Sequence, residues 1–374
     1  MHSQRVLSHQ IRDRNCDILY AMKAIAAAFA VLVATFCPLI AQPQITSLHS
    51  ESSLAQTISG TVPGSPFVTG ARSYSPMVEN LDATMAFYAK LGLKVPPPAT
   101  GKSYPWDEEA WHYDLHGGQA PKSQMRFAYA TVPGAVPPAT PLLIEPVEHR
   151  DIDRKSSVLR VQDPGVSTLV LLVRDLDAAA TGLPESARRP IRRLSAGGRA
   201  MTAAVPGAHL VELLQYDKMP QTTAPADASV IGAWVRVTVE SMDRTLGLYR
   251  DQFGIPCTDA PLTDESLGGL VGVHGAKLRR AACTLPGTAM TLEFLEVTGI
   301  ERRPLAARIQ DPGAARLQLT VRNLETAIDL YKKAGPSTVV SSRGEIITQP
   351  GYRVAVVSDL NGLFLVLTDR RVTR

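Results

Sequence analysis

The sequence lacks the motifs that mark several functional classes. It has no Gly-rich phosphate-binding loop and no serine with the flanking glycines of a nucleophile elbow, and the segment 209–215 (HLVELLQ) lacks the second histidine of a zinc protease helix. The formal net charge is only +4, and no basic block is interleaved with aromatic residues. We therefore expect no nucleic-acid partner and no binding to an anionic membrane surface.

A repeated element organises the chain. The segment 160–165 (RVQDPG) returns as 308–313 (RIQDPG), 148 residues later, and the sequence before it also repeats, so that Glu145 corresponds to Glu293. An internal period fixes the architecture before any local pattern is considered. We predict a tandem duplication of a unit of about 150 residues, in which Asp-Pro-Gly forms a turn that the preceding arginine anchors.

Four segments share one pattern: an apolar β run, a capping residue and an amphipathic helix. The predicted N-caps are Asn80, Asp175, Ser241 and Asn323. Short β-like segments with Gly or Pro turns follow each helix. The pattern predicts an α+β fold in which a β-α-β-β-β module occurs four times, with modules one and two forming one domain and modules three and four another.

The N-terminal segment is typical of an exported protein. Met22, the predicted initiator, and Lys23 precede an apolar run that ends at Ala41, as in a secretory signal. The run is short for a membrane span, so a retained N-terminal anchor is the alternative, and we expect no other membrane partner. The predicted divisions are a signal region at 1–41, a linker at 42–69, a first domain at 70–219, a linker at 220–229 and a second domain at 230–370.

Two cysteines remain after signal cleavage. Cys257 and Cys283 fall on β segments that are predicted to be neighbours. A periplasmic or extracellular location permits a disulfide, and two buried thiols are the alternative. Neither cysteine has a histidine nearby in sequence, so we expect no nucleophilic role.

The four modules resemble the vicinal oxygen chelate superfamily, which includes glyoxalase I, bleomycin and fosfomycin resistance proteins and extradiol dioxygenases. The segments that carry the resemblance are 76–95 (PMVENLDATMAFYAKLGLKV), 237–255 (VTVESMDRTLGLYRDQFGI), 206–215 (PGAHLVELLQ) and 359–367 (DLNGLFLVL). The resemblance implies that each pair of modules forms a half-open barrel of strands around one pocket.

Proteins of this superfamily commonly hold a divalent metal on the first and last strands of each module. The corresponding first-strand positions here are Ser73, Thr168, Trp234 and Arg316, and the last-strand positions are Glu145, Glu212, Glu293 and Val366. A glutamate is present on three of the four last strands, but no first strand carries the histidine that is usual in the family.

In the first pair of modules, the resemblance implies a set formed by Ser73, Glu145, Thr168 and Glu212. Such an all-oxygen set suits a hard cation, although hydroxyls are poor ligands. One hypothesis is a weak divalent-metal site on Glu145 and Glu212. The alternative is that each carboxylate is held by a cationic or hydrogen-bonding neighbour such as Arg126.

In the second pair, Arg316 and Trp234 stand at ligand positions, and a guanidinium near Glu293 would repel a divalent ion. Strand alternation places Arg236 on the face of Trp234, and Gln318 on the face of Arg316. We expect no metal there. A polar, cationic pocket for an anionic or carbonyl-rich small ligand is one interpretation, and an internal salt-bridge network without a ligand is the other.

Two functional hypotheses follow. The first is an exported protein of the glyoxalase and bleomycin-resistance type, with a small-molecule pocket in each domain. In it, Glu145 or Glu212 would serve lyase, isomerase or dioxygenase chemistry as a general base or weak metal ligand. The second is a non-catalytic, metal-free protein that binds or sequesters a small molecule. The partners of Glu145 and Glu212 distinguish the two; the oligomeric state stays open.

Overall fold

The computed structural model describes residues 67–98, 103–107, 123–133, 143–194, 197–206, 209–220, 222–261, 275–288, 290–335, 340, 346–349 and 351–370. The predicted signal region and residues 42–66 of the predicted linker lie outside this part of the chain. All described residues belong to one compact unit, Ser47–Arg374. Within them, no helix combines the length and the apolar character that a membrane crossing requires.

The described strands form two large sheets and one strand pair. The seven-stranded sheet has the spatial order β15 (Ile347–Gln349), β16 (Tyr352–Ser358), β17 (Phe364–Arg370), β14 (Ala315–Val321), β1 (Val68–Pro76), β4 (Leu143–Ile144) and β3 (Ala130–Thr131). The eight-stranded sheet has the order β11 (Cys257–Pro261), β12 (Lys277–Thr284), β13 (Thr291–Thr298), β10 (Val230–Val239), β6 (Ser167–Val173), β9 (His209–Gln215), β8 (Arg199–Val205) and β7 (Arg192–Arg193). The pair consists of β2 (Gln124–Phe127) and β5 (Val147–Arg150).

The helices begin where the sequence predicts. They are α1 (Leu81–Leu91), α2 (Leu176–Thr181), α3 (Met242–Leu246), which continues as a π-helical turn at Gly247–Gln252, and α4 (Leu324–Ala334). Each of the predicted N-cap side chains accepts a hydrogen bond from a backbone N–H two or three residues ahead, which satisfies an otherwise unpaired donor of the first turn. The four predicted caps are therefore confirmed.

The sheets do not follow the predicted pairing of neighbouring modules. Strand β1 pairs antiparallel with β14, from the far end of the chain, and β6 pairs antiparallel with β10. The half-open barrel that the resemblance implies for each pair of modules is therefore not built by modules one and two or by modules three and four, because each large sheet combines strands of both pairs. Each first strand pairs on one edge with the last strand of its own module, and on the other edge with the first strand of another module. The local pattern is the same in all four modules, so it does not select that second partner. The division at 70–219 and 230–370 stays a prediction, and both large sheets contain strands from each side of it.

One apolar core cluster joins the two large sheets and the four helices. Strand alternation divides the residues of each central strand between two faces. On β14, Leu317 and Leu319 are fully buried in this core, while Arg316 and Gln318 lie on the opposite face. The predicted sharing of a face by Arg316 and Gln318 is confirmed. Between the sheets, the Tyr74 hydroxyl is 2.7 Å from the Ser167 hydroxyl.

Each Asp-Pro-Gly element is anchored by its own arginine, as predicted. Arg160 donates to both carboxylate oxygens of Asp163, at 2.8 and 2.7 Å. Arg308 donates to both oxygens of Asp311 in the same way, at 3.0 and 2.7 Å. Bidentate guanidinium–carboxylate pairs fix orientation as well as distance, so the two turns are held in matching conformations.

The two elements also hold each other's flanking segments. The backbone N–H of Arg303 donates to Asp163 at 2.8 Å, and that of Lys155 donates to Asp311 at 2.9 Å. Lys155 and Arg303 are themselves separated by the 148-residue offset of the repeat. The two repeats therefore exchange equivalent contacts, as the two subunits of a symmetric dimer do.

Of the two alternatives for the cysteines, the structure shows the disulfide. Cys257 on β11 and Cys283 on β12 are bonded across directly paired positions of the eight-stranded sheet, 26 residues apart in sequence. The alternative of two buried thiols does not apply to this structure.

Candidate functional site

The eight-stranded sheet carries a buried ionic network on the face opposite the core. Arg236 on β10 lies between Glu212 on β9 and Glu293 on β13. Its Nη1 is 2.5 Å from Glu212 Oε2, and its Nε is 3.1 Å from Glu293 Oε2. The side chains of the three residues are at most 3% exposed. The indole Nε1–H of Trp234 also donates to Glu293 Oε2, at 2.7 Å.

The electrostatics of this network keep Arg236 charged. Burial alone lowers the pKa of its guanidinium, but the charges of Glu212 and Glu293 and their hydrogen bonds outweigh burial and raise the pKa above its ordinary value. A second cation is close, because Arg280 Nη1 lies 4.0 Å from Glu293 Oε1. Burial, followed by the charge of Glu293, raises the pKa of the nearby Tyr216 to about 12.

The seven-stranded sheet carries a smaller polar cluster around Glu145, which follows β4. Its Oε2 accepts hydrogen bonds from the hydroxyls of Ser73, at 2.6 Å, and Ser75, at 2.8 Å. Ser73 Oγ also lies 3.4 Å from Gln318 Oε1. The hydroxyl of Tyr129 contacts the same carboxylate, and burial together with the charge of Glu145 raises the pKa of Tyr129 to about 12. Glu145 itself is half-buried.

A buried arginine lies beside this cluster. Arg316 on β14 is directly opposite Ser75 in the sheet register and is only 6% exposed. Its Nε has no hydrogen-bond partner among the described residues. Burial lowers the pKa of Arg316, and the charge of Glu145 opposes that shift. The burial of this guanidinium is therefore not offset by a hydrogen bond at Nε within the described part of the chain.

The structure regroups the predicted site residues. The set expected in the first pair of modules does not form: Ser73 and Glu145 lie on the seven-stranded sheet, whereas Thr168 and Glu212 lie on the eight-stranded sheet. The expected pairing of Arg316 with Glu293 is wrong for the same reason. The network instead combines Glu212 with Trp234, Arg236 and Glu293, and Thr168 lies opposite Arg236 in the register.

The partners of the carboxylates differ in part from expectation. Arg126 binds Glu148 at 2.7 Å and Asp82 at 2.9 Å, so it does not hold Glu145. Glu148 faces Arg126 across the β2–β5 pair, which determines this choice. Sequence reasoning missed Ser75 as a partner of Glu145, although its position two residues after Ser73 on one strand face was a signal.

Neither cluster fits the divalent metal that the fold family implies. Between Glu212 and Glu293 the position is taken by a guanidinium, and two cations a few ångströms apart in a buried site repel strongly. On the seven-stranded sheet, Glu145 is the carboxylate of the cluster, and its Oε2 accepts hydrogen bonds from two hydroxyls. Arg316 lies beside it. The described part of the chain contains no group of three or more His, Cys, Asp or Glu side chains that could hold a metal ion.

Comparison with solved structures identifies the fold. Two crystal structures of glyoxalase I mutants from Zea mays each match with a TM-score of 0.50 and 13% identity, covering 80% of this chain and 94% and 92% of those chains. A structure described as a putative dioxygenase from Bacillus subtilis subsp. subtilis str. 168 has a TM-score of 0.47 and 12% identity, covering 81% of this chain and 86% of that one. No model of a known protein family and no curated protein matches the sequence. The matches to the two maize structures show the fold, and this chain therefore has a glyoxalase-type α+β fold.

Proposed function

We propose that this chain is a metal-independent, non-catalytic protein that binds a small molecule. The observation that carries the proposal is the position of Arg236 between Glu212 and Glu293. In this superfamily, last-strand carboxylates commonly serve as metal ligands. Here they neutralise a buried cation, so their charge is not available to a metal ion or to a substrate proton.

Glu145 is the remaining candidate for catalysis, and its surroundings favour a binding role as well. Three hydroxyl groups, from Ser73, Ser75 and Tyr129, contact its carboxylate. A general base needs a lone pair that can reach a substrate proton. The hydroxyls already use the lone pairs of Oε2. The half-buried carboxylate and the adjacent Arg316 together suit a polar ligand.

The alternative is lyase, isomerase or dioxygenase chemistry that depends on a weakly held metal at Glu145 or Glu212. Export to the periplasm or beyond belongs to both hypotheses and rests on the predicted signal in residues 1–41.

Metal analysis of the purified protein tests the proposal. We expect elemental analysis to give less than stoichiometric metal, and titration calorimetry with Mg²⁺, Mn²⁺ and Zn²⁺ to give no one-to-one binding. Stoichiometric metal that is lost in Glu145→Gln or Glu212→Gln, but retained in Glu296→Gln, would overturn the proposal. Glu296 is a suitable control because it lies three residues after Glu293 on β13 and takes no part in the network.

The variant Arg236→Ser sharpens the test. If a guanidinium excludes metal from this site, its removal leaves two buried carboxylates facing the same space, and affinity for Mn²⁺ should be higher than in the wild type. An unchanged absence of binding would mean that geometry, rather than the charge of Arg236, excludes the ion.

A further inference from the structure

A cavity of about 550 Å³ opens beside the ionic network, on the same face of the eight-stranded sheet. Thr202 on β8 lies directly opposite Glu212 in the register, and Ala204 lies opposite Leu210. Thr202, Ala204 and Leu210 line the cavity, whereas Glu212 is not part of the lining. The volume lies within the roughly 300–1,000 Å³ that is usual for small-molecule sites.

The walls of the cavity are cationic. Arg160, Arg189 and Arg192 line it, and the described residues of the lining include no aspartate or glutamate. The charge of Arg160 is balanced by Asp163, whose two carboxylate oxygens accept from Arg160 Nε and Nη2. Arg189 and Arg192 have no ionic partner among the described residues. The cavity therefore presents two positive charges that the described protein groups do not neutralise.

The remaining lining is largely apolar, with three buried polar side chains, Gln162, Thr202 and His209. Leu159, Val161 and Leu210 contribute aliphatic surface, while Gln162 and Thr202, 7% and 8% exposed, place an amide and a hydroxyl at the wall. Val158 at the edge of the cavity is 91% exposed, which is unusual for so large an apolar side chain in this protein.

From these observations we infer that the cavity binds a small amphipathic anion. Its acidic group pairs with Arg189 and Arg192, and its short apolar body lies against Leu159, Val161 and Leu210. The inference rests on the proposed metal-free binding function and adds a location and a ligand class to it. Guanidinium groups suit carboxylates and other oxyanions because their donors match the spacing of the oxygens.

Octanoate is a suitable probe, and calorimetry at low ionic strength on the whole chain is a suitable measurement. We expect one octanoate per chain, and binding of the neutral analogue octanamide at least about tenfold weaker. Arg189→Gln and Arg192→Gln should each weaken octanoate binding about five- to tenfold, because each removes one charge-assisted contact.

Arg193→Gln is the matched control. Arg193 neighbours Arg192 on β7, does not line the cavity, and pairs with Asp217 at 3.0 Å on the surface. The Arg193→Gln variant should bind octanoate with the same affinity as the wild type. Thermal melting of every variant verifies that it is folded.

Three results would overturn the assignment: no octanoate binding, equal affinity for octanamide, or an equal effect of Arg193→Gln. These outcomes are distinct from failure of the proposed function. Octanoate binding that disappears on treatment with a chelator and returns with added metal would instead contradict metal independence. The affinities of Arg189→Gln and Arg192→Gln would then still decide whether octanoate binds in this cavity.

Discussion

Replacing Arg236 by methionine should destabilise the protein far more than loss of an ordinary ion pair. The substitution keeps the aliphatic bulk but leaves Glu212 unpaired and Glu293 with only the more distant Arg280, 4.0 Å from its Oε1; the two carboxylates are 2% and 0% exposed. Removing one partner of a buried ion pair costs about 3–5 kcal/mol, because the remaining charge is neither solvated nor paired. With two carboxylates left, we expect the upper part of that range, measured as a shift of the urea midpoint at unchanged slope.

Two companion variants make this prediction refutable. Arg193→Met breaks the exposed pair with Asp217, 3.0 Å long, and should cost no more than about 1 kcal/mol. Adding Glu212→Gln and Glu293→Gln to Arg236→Met removes the unpaired charges and should restore much of the lost stability. If Arg236→Met costs no more than Arg193→Met, the three side chains do not form a buried network and the reasoning about metal exclusion fails with it.

Three other predictions concern stability. Burial lowers the pKa of His209 to about 3. Because the unfolded chain takes up that proton near pH 6.5, the stability of the protein falls as the pH falls from 6.5 towards 3. His209→Gln should reduce this loss by about 2–3 kcal/mol at pH 4.5, measured by denaturation at pH 4.5 and 7.5. Replacing Cys257 and Cys283 by serine should cost about 2–4 kcal/mol, and a reductant should lower the melting temperature of the wild type but not of this variant. Asp163→Asn and Asp311→Asn should each cost about 1–3 kcal/mol by the same denaturation assay, and clearly unequal losses would contradict the equivalence of the two turns.

The local parts of the fold could be predicted from the sequence because their causes are local. An N-cap such as Asn80 or Asn323 acts on a backbone group three residues away. Alternation along a strand likewise places Arg316 and Gln318 on one face whatever the neighbouring strand is. The anchoring of Asp163 by Arg160 spans one turn and was predictable for the same reason.

The partners across the sheets could not be predicted in this way. The open edge of β1 is chemically similar to that of β6 or β10, and the choice among them depends on the packing of the whole molecule. Which strands pair also determines which of the candidate site residues lie together. The sequence identified Glu212 and Glu293 as last-strand positions and placed Arg236 on the face of Trp234, but only the pairing of β6 with β10 brings the three together.

Because each large sheet contains strands from both halves of the chain, neither half alone can complete the sheets. A separate half, such as residues 70–219, would carry β1 and β6 with bare edges, and bare edges associate with other strands. A second copy of the half offers the same edges, so two copies would form a closed twofold dimer by exchanging strands. Within one chain that association is intramolecular, so it does not depend on the protein concentration. The two halves of one chain need not be identical, and each sheet carries its own polar cluster.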